Sequence, residues 1–225
     1  MSHDGRQAAL LAIDTATTRV VIATGSPEGV ATGVSSWEAG HRHGETLLPA
    51  IDRFLDEHEI SRAHLAGIVV GTGPGAFTGL RVGMATAKGL AHGLGIPLIG
   101  VSSAECLMAA ASVRQPVLLV PAGPSDRVLV RPGQAPRLLP GGTDPELAAG
   151  ETLVAIDLAG RAPDDAIARG EVARAGFAGA LLGAGAERLR AEPAGVLATL
   201  VPEYVTLPRG ARPATGTVTW SRDHR

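Results

Sequence analysis

The stretch that decides the fold is GTGPGAFTGLRVGMATAKGLAHGLGIPLIGVSSAE, residues 71–105. It follows a short apolar run, and it contains a glycine-rich loop, a segment with helical periodicity and a second apolar run. Ser102 and Glu105 then match the capping box S-x-x-E, which begins a helix. The pattern predicts a strand, a loop, a helix, a strand and a helix, over residues 65–70, 71–77, 78–94, 96–101 and 102–111.

The residues before this stretch predict three strands and a helix. Residues 9–13, 20–23 and 30–37 are short apolar or β-branched runs with short connections, which favours an antiparallel meander. Apolar residues then recur on one helical face over residues 47–55, and we expect Pro49 to lie in the first turn of that helix. The order β-β-β-α-β-α-β-α is, by analogy, that of the ribonuclease H-like core in actin-like ATPases.

The second half of the chain carries weaker patterns. Its predicted strands cover residues 117–120, 128–130 and 153–156, its predicted helices cover 177–189 and 196–200, and 132–142 is predicted to be loop. We therefore expect an α/β fold with two lobes, the second small and degenerate. The expected divisions are an N-terminal lobe over residues 1–113, a C-terminal lobe over 114–207 and a mobile tail over 208–225.

The composition excludes several classes of protein. Hydrophobic residues make up 45% of the 225-residue chain, which is too apolar for a disordered protein at this low charge. The net charge of -2 provides no basic surface for binding nucleic acid unaided, and one cysteine excludes a disulfide framework or a zinc ribbon. No segment approaches the roughly 20 apolar residues of a membrane span, and no signal peptide is recognisable. We expect a soluble cytoplasmic protein without membrane association.

Two loops are candidates for holding a nucleotide or phosphate. Gly73, Gly75 and Thr78 belong to a glycine-rich loop between a strand and a helix, where amides and the helix dipole favour an anion. Asp14 and Thr15 follow the first strand, where a carboxylate could hold Mg²⁺. The alternatives are a tight turn that allows close helix packing and an Asp-capped strand end. The loop lacks the G-K-[ST] of a P-loop.

The predicted helix over residues 78–94 carries two faces of small residues. One face has Gly79, Gly83 and Ala87, and the other has Ala85, Gly89 and Gly93. An interior glycine costs a helix about 1 kcal/mol relative to alanine, so close approach of another backbone is the expected compensation. One face suits the protein's own sheet, and the second suggests a helix of another chain.

The sequence offers no catalytic residue and no metal site. His41 and His43 are two residues apart, so their side chains diverge, and no H-E-x-x-H spacing supplies further ligands. Cys106 lies among apolar residues, which favours the core over a nucleophile. The chain contains no G-x-S-x-G nucleophile elbow.

Three segments resemble a known family. LAIDTATT at residues 11–18, HGETLLPAID at 43–52 and the long stretch at 71–105 resemble the TsaB family, the bacterial subunit that supports synthesis of threonylcarbamoyladenosine in tRNA. In the second half, PEYV at residues 202–205 resembles the closing P-x-Y segment of that family.

The resemblance implies an actin-like ATPase fold without its own catalytic site. It implies pairing with the catalytic paralogue TsaD through the helices over residues 46–58 and 78–94, with the small ATPase TsaE joining and tRNA modified by the assembly. ATP and Mg²⁺ are then expected for the complex and no cofactor for this chain alone. An isolated chain is expected to form a homodimer through the same surface. The expected interface residues are Leu47, Leu48, Ile51, Gly79, Gly83 and Ala87.

The chain departs from the family at one point. Where the family has an acidic D-A-R segment, residues 120–125 read VPAGPS. The alternatives, an autonomous actin-like ATPase or a glycoprotease-type hydrolase, would need acids from both lobes or a metal site or nucleophile. Only Asp14 is placed to supply such an acid.

Overall fold

The computed structural model describes residues 8–38 and 43–205. The first half contains five strands and three helices in the predicted order. The strands are β1 Ala9–Asp14, β2 Arg19–Gly25, β3 Ala31–Glu38, β4 Leu65–Gly71 and β5 Leu98–Val101. The helices are α1 His43–Glu57, α2 Phe77–Leu94 and α3 Ser103–Ala110.

The five strands form one sheet in the order β3-β2-β1-β4-β5. The first three strands pair antiparallel, and β4 and β5 continue the sheet parallel to β1. This is the ribonuclease H-like arrangement that the element order predicted. The sheet places the ends of β1 and β4 side by side, so the turn after Asp14 meets the glycine-rich loop after Gly71.

The second half contains a smaller sheet and one long helix. Its elements are β6 Pro116–Pro121, β7 Arg127–Val130, β8 Arg137–Leu139, β9 Thr152–Ala155 and α4 Asp164–Ala191. The sheet order is β8-β7-β6-β9, with β6 and β9 parallel. The sequence predicted an α/β fold of the actin-like ATPase type, and the structure confirms this fold class with two mixed sheets.

The core lies in layers. α1 and α2 cover one face of the first sheet, where Ile13 packs with Leu47 and Ile51. On the other face, α3 and α4 lie between the two sheets, and one cluster joins residues such as Leu10 and Leu118. α4 contacts strands of both sheets. The division into lobes at residues 113 and 114 therefore stays a prediction, and the expected tail at 208–225 lies outside the described residues.

Two expectations about helices and one about a loop were wrong. Pro49 lies inside α1, beyond its first turn, because the helix already begins at His43. Burial of apolar residues such as Phe54 and Leu55 stabilises the helix in spite of this proline. The expected loop at 132–142 contains β8, which pairs with β7. Residues 196–200 form a turn with Leu200 donating to the Val196 carbonyl (2.9 Å) in place of a helix.

The last helix is longer than predicted. α4 has 28 residues, whereas the pattern predicted a helix only over residues 177–189. The first half of α4 consists largely of small residues, so it shows no apolar stripe in the sequence. These small residues are required because α4 packs closely against the strands of both sheets. A Cβ at Gly170 would collide with the Ala155 carbonyl, and one at Gly185 would collide with Val69. The helix can therefore lie close to both sheets.

Candidate functional site

Asp14 ends β1 and is completely buried. One carboxylate oxygen accepts a hydrogen bond from the Ser103 hydroxyl (2.5 Å), and the other accepts one from the Ala16 amide (2.9 Å). Gly71 leaves the space for this carboxylate, since a Cβ there would overlap its Oδ2 atom. Both oxygens of Asp14 therefore have partners within the chain.

Burial also changes the acidity of this group. Desolvation raises the pKa of Asp14 from 3.8 to about 6, while the hydrogen bonds from Ser103 and Ala16 act in the opposite direction. Asp14 consequently ionises close to neutral pH, at a free-energy cost to the folded state.

The glycine-rich loop packs directly on the turn after Asp14. The Ala76 amide donates to the Ala16 carbonyl (2.7 Å), and the Gly73 amide donates to the Ser103 hydroxyl (3.1 Å). A Cβ at Gly75 would collide with Ala16. The space in front of the loop is therefore filled by the chain itself.

The predicted phosphate loop needs correction on this geometry. The structure brings Asp14, Thr15, Gly73 and Gly75 together, as the sheet topology requires, but it uses them in contacts within the chain. Thr78 alone of the five is exposed. We therefore describe this region as the closed junction, meaning residues 14–16, 71–76 and 103. Of the alternatives open at the sequence level, the tight turn with close helix packing agrees with these contacts.

The inner small-residue face of α2 packs on the closed junction. Thr15 donates its hydroxyl to the Gly79 carbonyl (2.7 Å), and a Cβ at Gly83 would collide with the Thr15 hydroxyl. Ala87 is completely buried. The expectation that Gly79, Gly83 and Ala87 form a partner interface was therefore wrong, because their neighbours belong to the same chain.

Two expected interface residues of α1 are also internal. Leu47 and Ile51 are buried in the cluster between α1 and the first sheet, so they cannot contact a partner directly. Leu48 differs, with 46% of its surface exposed. Of the six expected interface residues, only Leu48 remains on the surface.

The outer small-residue face of α2 is open. Ala85, Gly89 and Gly93 are exposed, and a Cβ at Gly89 or Gly93 would meet no atom of the described part of the chain within 4 Å. α1 packs beside α2, so the two helices together form one outer layer of the molecule. This layer has room for a second chain.

A segment near the end of the described chain covers the other side of the glycine-rich loop. We call residues 196–205 the C-terminal strap. The Val196 amide donates to the Leu98 carbonyl (2.8 Å), and the buried Leu200 packs where Gly100 lacks a side chain. The strap thus runs along β5 toward the closed junction.

The P-x-Y part of the strap binds the loop itself. The Glu203 amide donates to the Thr72 carbonyl (2.8 Å), and the Thr72 hydroxyl donates to the Glu203 carboxylate (2.7 Å). The Tyr204 ring lies 4.7 Å from Phe77, and its hydroxyl accepts a hydrogen bond from Arg81 Nε (3.0 Å). Composition and periodicity gave no signal for these contacts, and only the P-x-Y resemblance pointed to the segment.

The remaining candidates for chemistry lie elsewhere. Burial raises the pKa of the Cys106 thiol to about 12, so it is a core residue and not a thiolate nucleophile. Within residues 8–38 and 43–205, no three His, Cys, Asp or Glu residues are grouped so that they could hold a metal. His41 lies outside the described residues, and so does the side chain of His43.

The segment that departs from the family pattern forms a turn. The Ala122 amide donates to the Asp126 carbonyl (2.9 Å), and the Asp126 carboxylate accepts from the Gly141 amide (3.1 Å). Asp126, the acid that directly follows this segment, therefore connects the start of β7 to the loop after β8.

No helix in the described part of the chain is long and apolar enough to cross a bilayer.

Comparison with known proteins identifies the family. Residues 21–163 match the family model described as TsaD: tRNA N6-adenosine threonylcarbamoyltransferase. The chain belongs to the TsaD family. Among curated relatives, the tRNA threonylcarbamoyladenosine biosynthesis protein TsaB of Escherichia coli is 37% identical over 104 residues, which cover 42% of this chain and 40% of that protein. This confirms the resemblance to TsaB.

Other TsaD-family relatives include a transferase. The tRNA N6-adenosine threonylcarbamoyltransferase of Trichlorobacter lovleyi is 40% identical over 85 residues, covering 38% of this chain and 25% of that enzyme. The chain spans less than half of the length of the curated relatives that it matches. The solved structure of YeaZ from Pseudomonas aeruginosa covers 88% of this chain and all of its own, with a TM-score of 0.63 at 23% identity. The fold is therefore that of YeaZ.

Proposed function

We propose that this chain is a non-catalytic subunit that pairs with TsaD, and with TsaE, to support transfer of a threonylcarbamoyl group to adenosine in tRNA. Membership of the TsaD family and the TsaB relatives support the pathway. The observation that carries the non-catalytic role is the closed junction, in which Asp14 and the glycine-rich loop are occupied by contacts within the chain.

The closed junction argues against nucleotide chemistry at this position. A carboxylate that holds Mg²⁺ must present its oxygens to the ion, and oxygen ligands are what Mg²⁺ requires. Asp14 is fully buried, and its oxygens accept hydrogen bonds from Ser103 and Ala16. A phosphate would also have to displace Ala16 from Gly75. ATP and Mg²⁺ are accordingly proposed for the complex and not for this chain alone.

The outer layer of α1 and α2 is the proposed contact with TsaD. Gly89 lies in the interior of α2 at a cost of about 1 kcal/mol, and Gly93 lies in its last turn. No atom of the described residues occupies the space beside either glycine. A partner helix that approaches this face would use that space. The same face would join two copies of the isolated chain in a two-fold dimer, which TsaD would replace.

Reconstitution tests the proposal. Unmodified tRNA, a threonylcarbamoyl donor and ATP are incubated with TsaD and TsaE, with and without this chain, and modified adenosine is measured by mass spectrometry. We expect modification to depend on the chain, and the chain alone to turn over neither ATP nor peptide.

The alternatives predict different results. An autonomous ATPase would hydrolyse ATP without partners and lose this activity in a folded Asp14→Asn variant. A glycoprotease-type hydrolase would cleave peptide substrates alone. Modification that proceeds equally well without the chain would contradict the proposed role.

A further inference from the structure

A cavity of about 290 Å³ lies between the β2 and β3 strands and helix α4, with α3 at its base. Apolar side chains form part of its wall, among them Val21, Leu107 and Phe177. Polar groups line the same space, and they include Arg19, Ser36, Arg174 and one acid, the exposed Glu171. Apolar walls with a few converging polar groups are the usual composition of a small-molecule site.

Arg19 brings a positive charge to this cavity without a close counter-ion. Its Nε is buried and makes no hydrogen bond. The nearest carboxylate of the described residues belongs to Glu38, 3.9 Å from NH2 and 77% exposed. A separation of this length to an exposed acid leaves the guanidinium without a hydrogen-bonded partner. Because arginine remains charged at every physiological pH, this Nε–H is available as a donor to an anion in the cavity.

Arg174 approaches the cavity from α4 and is held in place from behind. Its NH2 pairs with the Asp157 carboxylate, whose other oxygen accepts from the Thr18 amide (2.8 Å). Its Nε is buried and makes no hydrogen bond, although the exposed Glu171 carboxylate lies 3.3 Å away. The cavity therefore has two arginines on its wall, of which Arg174 is fixed by Asp157. Each has a buried Nε–H that donates no hydrogen bond to an acceptor among the described residues.

We propose that this cavity binds a small organic anion, namely a carboxylate or phosphate monoester carried on an apolar or aromatic body. The anion would accept charge-assisted hydrogen bonds from the two arginines, and the body would contact the apolar wall. Ligand pockets usually measure about 300–1,000 Å³, so this cavity suits a molecule of about one ring and not a dinucleotide. Since Asp14 and the glycine-rich loop do not line it, the site is separate from the closed junction and does not depend on the proposed function.

The test uses the full chain and three probes that share one ring. Phenyl phosphate and benzoate carry the anion, and benzamide is the neutral control. Binding is measured by calorimetry and by amide chemical-shift changes at Thr17 and Ser36, which line the cavity. We expect at least one anionic probe to bind ten times more tightly than benzamide, and the stronger of the two identifies the headgroup.

Two variants and one matched control locate the site. Arg19→Gln removes one charge and should weaken the anionic probe about tenfold or more. Arg53→Gln removes the same charge from an exposed position on α1, on the opposite face of the sheet, and should leave binding unchanged. Ala175→Phe places a ring in the cavity from an exposed helix position and should abolish binding.

Melting temperatures of the variants establish that each is folded. The proposal is overturned if no anionic probe binds more tightly than benzamide, or if folded Arg19→Gln and Ala175→Phe bind it as the unmodified chain does. Shift changes confined to residues outside the cavity would also overturn it.

Discussion

The two faces of α2 carry the same small-residue spacing and have opposite surroundings. On the inner face, Gly79 and Gly83 touch Thr15 of the same chain, whereas on the outer face Gly89 and Gly93 have no neighbour among residues 8–38 and 43–205. A repeat of small residues every fourth position therefore marks where a backbone approaches closely, without telling which backbone. Which face of α2 meets the chain's own backbone depends on how the helix is rotated about its axis as it packs on the sheet.

The largest expected effect is on the inner face. Gly83→Leu inserts a side chain where the Thr15 hydroxyl lies, and we expect it to destabilise the protein by about 3 kcal/mol, the upper end of the usual cost of overpacking. Replacing an interior glycine also improves helix propensity by about 1 kcal/mol, but this gain is smaller than the cost of the collision, so the variant remains less stable than the original chain. Urea unfolding measures the change. A variant as stable as the original chain would place Gly83 on a free surface.

The Thr15 turn that supports this face should also make stability depend on pH. Burial raises the pKa of Asp14 from 3.8 to about 6, so between these values the unfolded chain loses its proton before the folded one does. Stability should therefore fall by about 3 kcal/mol as the pH rises from about 4 to about 6, and then level off, since one pKa unit corresponds to about 1.4 kcal/mol.

Asp14→Asn isolates this effect. The free energy of unfolding is measured for both proteins across that pH range, and only the difference between them is assigned to Asp14. We expect the variant to gain stability relative to the original chain as the pH rises. A difference that stays constant with pH would mean that Asp14 is solvated in the folded protein.

A substitution on the outer face should weaken binding without destabilising the chain. Gly89→Leu fills open space, so we expect the free chain to gain up to about 1 kcal/mol from helix propensity. Affinity for TsaD should fall by roughly ten- to a hundredfold if a helix packs there, equivalent to about 1.4–2.7 kcal/mol.

Gly179→Leu is the matched control, because Gly179 is also an exposed glycine inside a helix, and a Cβ there would meet no described atom within 4 Å. It should stabilise the chain similarly and leave affinity for TsaD unchanged. Calorimetry measures the affinity of each variant for TsaD, and light scattering measures whether the isolated variants form a homodimer. Equal affinity of the two variants would remove the outer face from the proposed interface.

The smallest expected effect concerns the beginning of α2, where neither face decides the packing. Tyr204→Ala removes the ring beside Phe77 and the acceptor for Arg81, and it should cost about 1 kcal/mol because the site is partly exposed. Thermal unfolding measures this change. Arg53→Ala, on the exposed side of α1, serves as a surface control and should have no measurable effect.

The first sheet could be predicted from the sequence because its information is local. Buried strands such as β1 and β4 are short apolar runs bounded by polar or glycine residues, and their order restricts the topology to few choices. α4 was underestimated for the opposite reason, since the small residues that allow it to lie between two sheets remove the apolar stripe that reveals a helix.

The candidate site was less predictable because it depends on distant contacts. The sequence indicated Asp14 and the glycine-rich loop as two separate candidates, but it could not show that Ala16 would fill the space before Gly75. The pairing of Arg174 with Asp157 likewise joins α4 to the loop after β9. Such contacts form only when separate elements pack, and no local pattern encodes them.

The C-terminal strap has a consequence for how the protein is made. Glu203 and Thr72 are 131 residues apart, so the glycine-rich loop gains this partner only when nearly all of the described chain has left the ribosome. Until then β5, the edge strand of the first sheet, lacks the contacts at Leu98 and Gly100 that the strap and Arg188 supply. An uncovered edge strand can pair with another unfinished chain. In the finished chain, Val196 and Leu200 of the strap cover β5, so this edge is less open to pairing with another chain.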